Sequence, residues 1–288
     1  MTQTQYFGID VSEYQGGIDW KKVKASGRSF AILRCGYGRY ADQLDRRFEQ
    51  NYKNARAAGI HVGAYLFSYA QTTAQAREEA ENCLRLIRGK TFEYPVVYDV
   101  ETAAQRKLGK EKLSAIVRAF CETMEQNGYY VSVYASLDFL QNALTTAVTS
   151  RYDVWLAQWA TKPTYTGAYG MWQYSATGTV SGIRGAVDLD VAYKNYPLIM
   201  RRNGLNGFPK EARERNRTQA GDAVTLTGEP LYSSAHTHYP SGKANGTYYL
   251  YDAEAVDGRY RVTNKPSLVG RKPAMWFVSG WIDASVLE

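Results

Sequence analysis

Residues 94–101 read "YPVVYDVE", and the reading of this stretch decides the rest. The run is apolar, β-branched and aromatic, as in a buried strand, yet it ends in two carboxylates, Asp99 and Glu101. Side chains alternate across a strand, so Val97, Asp99 and Glu101 share one face and Val96, Tyr98 and Val100 the other. At a rise of roughly 3.3 Å per residue, the two acids stand about 6.6 Å apart. Like charges that close repel and resist burial, and folding alone has no use for them. The pair calls for a chemical role.

On either side of this stretch strands alternate with helices, from residue 6 to about residue 196. Upstream lie the strands "YFGIDVS" (6–12), "FAILRCGYG" (30–38) and "IHVGAYLFSYA" (60–70). Downstream lie "YYVSVYAS" (129–136), "YDVWLAQWA" (152–160), "GMWQYSA" (170–176) and "AVDLDVAY" (186–193). Residues 42–59 carry Phe48, Tyr52 and Ala55 at helical spacing and stop at Gly59. Residues 72–90 begin with a threonine cap and end near Gly89, and residues 110–128 close on Gly128. Strands alternating with helices imply a parallel sheet with helices outside it. Eight strand candidates in so short a span predict an α/β fold: a small, irregular (β/α) barrel whose helix shell is incomplete in its last third.

After the barrel, residues 197–222 mix Gly-Asn breakers, a proline and dense charge, which reads as a linker. Short aromatic and β-branched strands then follow between Gly, Asp and Pro turns, a pattern that suits a small all-β barrel. The expected division is a catalytic barrel over 1–200, a basic linker over 201–222 and a small β domain over 223–288.

The bulk numbers exclude several classes. With 288 residues, 44% hydrophobic and 22% charged, the composition is that of an ordinary globular protein. No apolar stretch approaches the roughly 20 residues of a membrane helix, so no membrane insertion is expected. The first residues lack the pattern of a signal peptide. The net charge of +7 comes without a nucleic-acid-binding motif, and no nucleic-acid partner is expected. Cys35, Cys83 and Cys121 are odd in number and lack metal-ligand spacing, so they read as buried thiols.

In a β/α barrel the site lies at the C-terminal ends of the strands. Asp10 stands late in the first strand, Asp99 and Glu101 end the fourth, and Asp188 sits in the last. Each acid has a plainer reading: Asp10 as a turn cap, Asp188 or Asp190 as a partner of Arg34 or Arg184. Together they suit either Mg²⁺ or Ca²⁺ binding or glycoside hydrolysis, in which one carboxyl is kept protonated by its surroundings. Aromatic residues near the strand ends (Tyr65, Phe67, Tyr134, Trp155, Trp159 and Trp172) favour the sugar, because flat rings stack on pyranose faces. No P-loop, GxSxG or HExxH occurs.

The motifs "FGIDVSEYQGGIDW", "FAILRCGYG", "GAYLFSY", "PVVYDVE", "WLAQW", "WQYS" and "GAVDLDVAY" resemble, in order, those of the glycoside hydrolase family 25 lysozymes. The resemblance implies a muramidase that cuts the β-1,4 bond between N-acetylmuramic acid and N-acetylglucosamine in peptidoglycan. It implies Glu101 as general acid and Asp99 as its partner, acting either as a base or by steering the substrate's own N-acetyl oxygen. Asp10 and Asp188 become supporting acids, with Tyr65, Phe67, Tyr134 and Trp159 as substrate contacts and no metal or other cofactor. In the last motif the family usually has Asn where this chain has Asp190; Asp188 is taken as the acid facing the site. The C-terminal part resembles bacterial SH3-like wall modules in length, strand pattern and the ending "GWIDASVL". The implied protein is a monomer acting on the bacterial wall, secreted or released there, or held in the host cytoplasm before lysis if phage-encoded. Two rivals remain open: a barrel that holds glycan without cutting it, and a hydrolase of a chitin-like polymer.

Overall fold

The computed structural model describes residues 5–209, 219–237 and 239–287. They form two compact units that divide near residue 211. In the first unit eight strands close into a barrel in sequence order: β1 (Tyr6–Val11), β2 (Phe30–Tyr37), β3 (His61–Phe67), β4 (Val96–Asp99), β5 (Val131–Ser136), β6 (Asp153–Ala157), β7 (Met171–Gly178) and β8 (Val187–Ala192). Around them run α1 (Trp20–Ala25), α2 (Phe48–Ala57), α3 (Thr73–Ile87), α4 (Ala103–Arg106), α5 (Lys110–Gln126), α6 (Thr146–Thr149) and α7 (Tyr196–Asn203).

The long helices form where spacing and caps call for them. In α3 the buried Ala76, Ala80, Cys83 and Ile87 make one stripe, and the Thr72 hydroxyl accepts from the Gln75 amide at its start. Leu113, Ile116, Val117, Phe120 and Met124 do the same for α5. These two stripes cover the outer face of β4. Tyr98 stacks on Phe120 with ring centroids 3.8 Å apart, and its hydroxyl donates to the buried Glu79 of α3 at 2.7 Å. Val96, Tyr98 and Val100 thus belong to the outer core, while Val97 belongs to the inner one. This is the alternation read from the sequence.

From β1 to β7 the barrel is parallel, as expected, but β8 is antiparallel to both of its neighbours. The reason is chain length. A parallel return needs a crossover of a dozen or more residues, and only residues 179–186 separate β7 from β8. The strand therefore starts at the barrel mouth, where the others end. This reversal places Asp188, its second residue, in register with Asp10 of β1. The helix shell thins where the sequence suggested: only short helical turns lie between β5 and β6, and none between β6 and β8.

The lower half of the barrel is filled rather than hollow. Phe30 stacks on Tyr94 at 4.2 Å, above Tyr196 and Met200 of α7. Asn206 is buried there, accepting from the Tyr130 amide at 2.7 Å and donating to the Tyr94 carbonyl at 2.8 Å. Residues 201–209, expected as the start of a linker, therefore belong to the barrel unit. Their charges face solvent while Met200, Leu205 and Asn206 seal its base. Residues 210–218 of the expected linker lie outside the described residues, and 219–222 pair with the second unit through Gly221 and Asp222 to Leu250.

The second unit is all-β. β9 (Ala223–Leu231), β10 (Gly242–Leu250), β11 (Arg259–Thr263) and β12 (Gly280–Asp283) form an antiparallel sheet in the order β12-β11-β10-β9. Leu226, Ala244, Leu250, Val262 and Ile282 form its core. Reciprocal 2.9 Å hydrogen bonds between Tyr232 and Trp281 tie the end of β9 back to β12. The three cysteines are buried and free, with Cys35 and Cys83 sulfurs 3.9 Å apart. No described helix is long and apolar enough to cross a membrane.

Candidate active site

At the mouth of the barrel lies a pocket of about 350 Å³. It gathers the four acids from three strands, Asp10, Asp99, Glu101 and Asp188, with Tyr65, Phe67, Tyr134 and Trp159 around them. Every acid and substrate contact implied by the resemblance thus reaches one cavity, whereas one of the strand-end aromatics stays out of it. That one is Trp172. It turns to the outer core and donates its indole N–H to the Gln158 carbonyl at 2.7 Å.

Local structure explains how Glu101 is presented. β4 ends at Asp99, and Thr102 immediately caps α4, with Gln105 reaching back to the Thr102 amide. Gln105 is itself buried and donates to the Ser68 hydroxyl at 2.8 Å. Glu101 is therefore held between a barrel strand and a pinned helix start. It stands open at the rim while Asp99 is sunk below it, with one carboxylate oxygen receiving no hydrogen bond.

The surroundings push these carboxyls toward their neutral forms. Burial, then repulsion from Glu101, raises Asp99 well above the ordinary carboxylate range, and the Arg34 guanidinium opposes this. Glu101 is raised by the low-water walls around it and then by Asp188. Burial also raises Asp188. Asp10 is pushed well up by burial and by the facing Asp190 and Asp188. Such a set holds protons at a pH where free carboxylates have lost them, which is the requirement for donating one to a leaving oxygen.

Two polar residues organise the pocket, and the sequence reading did not assign either a role there. Gln173 donates to Asp10 at 2.7 Å and accepts from the Tyr134 hydroxyl and the Trp159 indole, both at 3.0 Å. It ties an acid from β1 to two aromatic walls. The signal was present: alternation along β7 turns Gln173 inward with Met171. Among the described residues, Arg34 is the one cation lining the pocket. Its plainer reading as a partner of Asp188 or Asp190 is corrected by the geometry. Arg34 instead donates to Asp45 at 2.8 Å and to Glu13 at 3.0 Å, with its guanidinium 4.9 Å from the centre of the Tyr14 ring. Asp10 is not a turn cap either, since Ser12 performs that task for residues 13–15. Asp190, fully buried, accepts from the Trp155 indole at 2.9 Å.

Comparison with known proteins places this arrangement. The profile described as "Glycosyl hydrolases family 25" matches residues 9–183. The "Autolytic lysozyme" of Clostridium acetobutylicum is 30% identical over 184 residues, covering 64% of this chain and 54% of that protein. The chain thus spans about half the length of that relative. A family 25 glycosyl hydrolase from Bacillus anthracis superposes with a TM-score of 0.59 at 27% identity, over 67% of this chain and 91% of that one. The modular autolysin LytC from Streptococcus pneumoniae, solved in complex with a synthetic peptidoglycan ligand, gives a TM-score of 0.60 at 30% identity, over 67% and 48%. The matched stretch holds six of the eight barrel strands whole and the end of β1, with the Asp10, Asp99 and Glu101 acids, and the chain belongs to glycosyl hydrolase family 25.

Proposed function

We propose that the protein is a peptidoglycan hydrolase, an N-acetylmuramidase that cuts the β-1,4 bond between N-acetylmuramic acid and N-acetylglucosamine. The observation that carries this reading is the convergence of Asp10, Asp99, Glu101 and Asp188 in one aromatic-walled pocket. Glu101 is the general acid. It is the acid at the open rim, where a glycosidic oxygen can reach it, and its raised proton affinity keeps it loaded. Asp99, below it, faces the charge that develops on the sugar as the bond breaks. Asp10 and Asp188 keep the site acidic and hold the substrate, while Tyr65, Phe67, Tyr134 and Trp159 present rings to it. Digestion of purified walls tests the reading. Turbidity should fall, and mass spectrometry of the released muropeptides should find N-acetylmuramic acid at the new reducing ends. Reducing N-acetylglucosamine ends, or glycan bound without release, would replace it with another specificity or with a binding protein.

The second unit is proposed as an SH3-like wall-binding domain that raises the local concentration of the barrel on an insoluble substrate. Trp276, 75% exposed, is an open aromatic contact, whereas Arg261 covers the Trp281 ring at 4.9 Å. Residues 218–288 carry 6 basic and 7 acidic side chains, so salt should weaken wall binding little. Removing 218–288 should leave cleavage of short soluble muropeptides near normal while slowing lysis of intact walls. Equal lysis of intact cells by the truncated and full chains would show that the unit does not target.

A further inference from the structure

We propose that Asp190 is a neutral, proton-bearing acid and the positioning residue that orients the Asp10 carboxylate at the floor of the pocket. Asp188 and Asp190 share the inward face of β8, and the register partner of Asp190 on β1 is Gly8. A glycine there presents no side chain, so the group that Asp190 meets is Asp10, two residues further along the same face.

The geometry assigns the proton. Asp190 is completely buried. One oxygen, Oδ1, accepts from the Trp155 indole, and Oδ2 receives no hydrogen bond. An ionised carboxylate with a bare buried oxygen is costly, and a proton on Oδ2 converts that bare acceptor into a donor. Asp10 is the acceptor in reach. It lines the pocket and takes the Gln173 amide at 2.7 Å on one oxygen, so a second donor from below fixes its plane. The two acids then share one proton, with the deeper member neutral.

The hydrogen bond between the two acids raises Asp10 and lowers Asp190, and the complete burial of Asp190 with its bare Oδ2 opposes this. Asp188 on β8 adds negative charge, Tyr65 of β3 and Tyr134 of β5 lie near Asp10, and Arg28 before β2 is the cation that partly offsets the repulsion on Asp190. Burial pushes Asp190 up to about 8. A folded-state value raised in this way favours the protonated form. The stability it supports is complete below the ordinary carboxylate range and is lost as pH rises through about 8.

Carboxyl ¹³C spectra of the full chain, labelled in its aspartate side chains, test the proton directly and do not depend on the hydrolase reading. The signal absent from Asp190→Asn is that of Asp190. It should sit at the protonated position at pH 6 and move through a midpoint near 8. The activity arm rests on the proposed function and uses wall digestion at pH 6. Asp190→Leu, which keeps bulk but offers no donor, should lower kcat about tenfold or more with KM held. Asp190→Asn, which keeps both an acceptor and a donor, should restore most of that loss. As pH rises from the ordinary carboxylate range toward about 8, its thermal midpoint should also fall less than that of the native chain. An ionised Asp190 signal at pH 6 overturns the proposal. So does an Asn variant as impaired as the Leu variant, or a fully active Leu variant. If Asp190→Leu does not fold, the ¹³C titration and the Asn variant decide.

Discussion

Replacing Glu101 with glutamine should lower wall lysis by about 10² to 10⁴, the usual worth of general acid catalysis. Glutamine keeps the length and shape of the side chain but has no proton to transfer. Glu101 sits at the rim, and the segment around it is held by the Thr102–Gln105 cap and by Ser68, none of which involves its carboxyl. The variant should therefore fold with an unchanged thermal midpoint and still sediment with walls. Loss of lysis with binding retained is the signature of an interaction made only in the transition state. Lysis within about tenfold of the native rate, below the lower bound for this kind of catalysis, would remove Glu101 from the donor role.

Asp99→Asn is the second large effect, and it should move activity, pH profile and stability in a combination that a structural cap would not. Repulsion between Asp99 and Glu101 is mutual, so the two titrate as a pair rather than as separate groups. With the Asp99 charge removed, the last proton of the pair is given up at lower pH, and the falling alkaline limb of the lysis profile should shift to the acid side. Burial remains the larger cause of the raised Glu101 value, and Asp188 still presses on it, so the limb shifts without vanishing. Maximal activity should drop as well, because the negative charge facing the developing positive sugar is gone.

Stability should move the other way. Asp99 is raised well above the usual range, so the native state is most favoured while it is protonated and loses stability as pH climbs past the ordinary carboxylate range. Asparagine removes that cost, and the variant should melt higher than the native chain at neutral pH. A less active but more heat-stable protein fits a strained functional acid. An unchanged pH profile with full activity would mark Asp99 as structural.

Much of this protein was legible before any coordinates. The alternation along "YPVVYDVE" placed Val96, Tyr98 and Val100 against the helices and Asp99 toward the interior, and the structure divides them that way. The stripes and caps of α3 and α5 were equally plain. So was the thinning of the helix shell after β5. All of these are local: a period of 2 or 3.6, a cap or a stop signal is written in residues adjacent in the chain. Strand-end placement then carried the four acids to one mouth.

Tertiary structure decided what depends on groups distant in sequence. The direction of β8 followed from a connection too short for a crossover, a condition that the strand's own residues do not express. Arg34 chose Asp45 and Glu13 over the site acids because those carboxylates flank it in space. Gln173 became the link between Asp10, Tyr134 and Trp159 only once β1, β5 and β7 closed around one axis. Residues 201–209, charged enough to read as a tether, proved to seal the base of the barrel through Leu205 and Asn206. Asp190 shares a face with Asp188 in any strand reading, yet only the closed barrel sets one at the pocket and buries the other completely. Pairing and burial are set by which distant segments meet, and local periodicity carries no record of that.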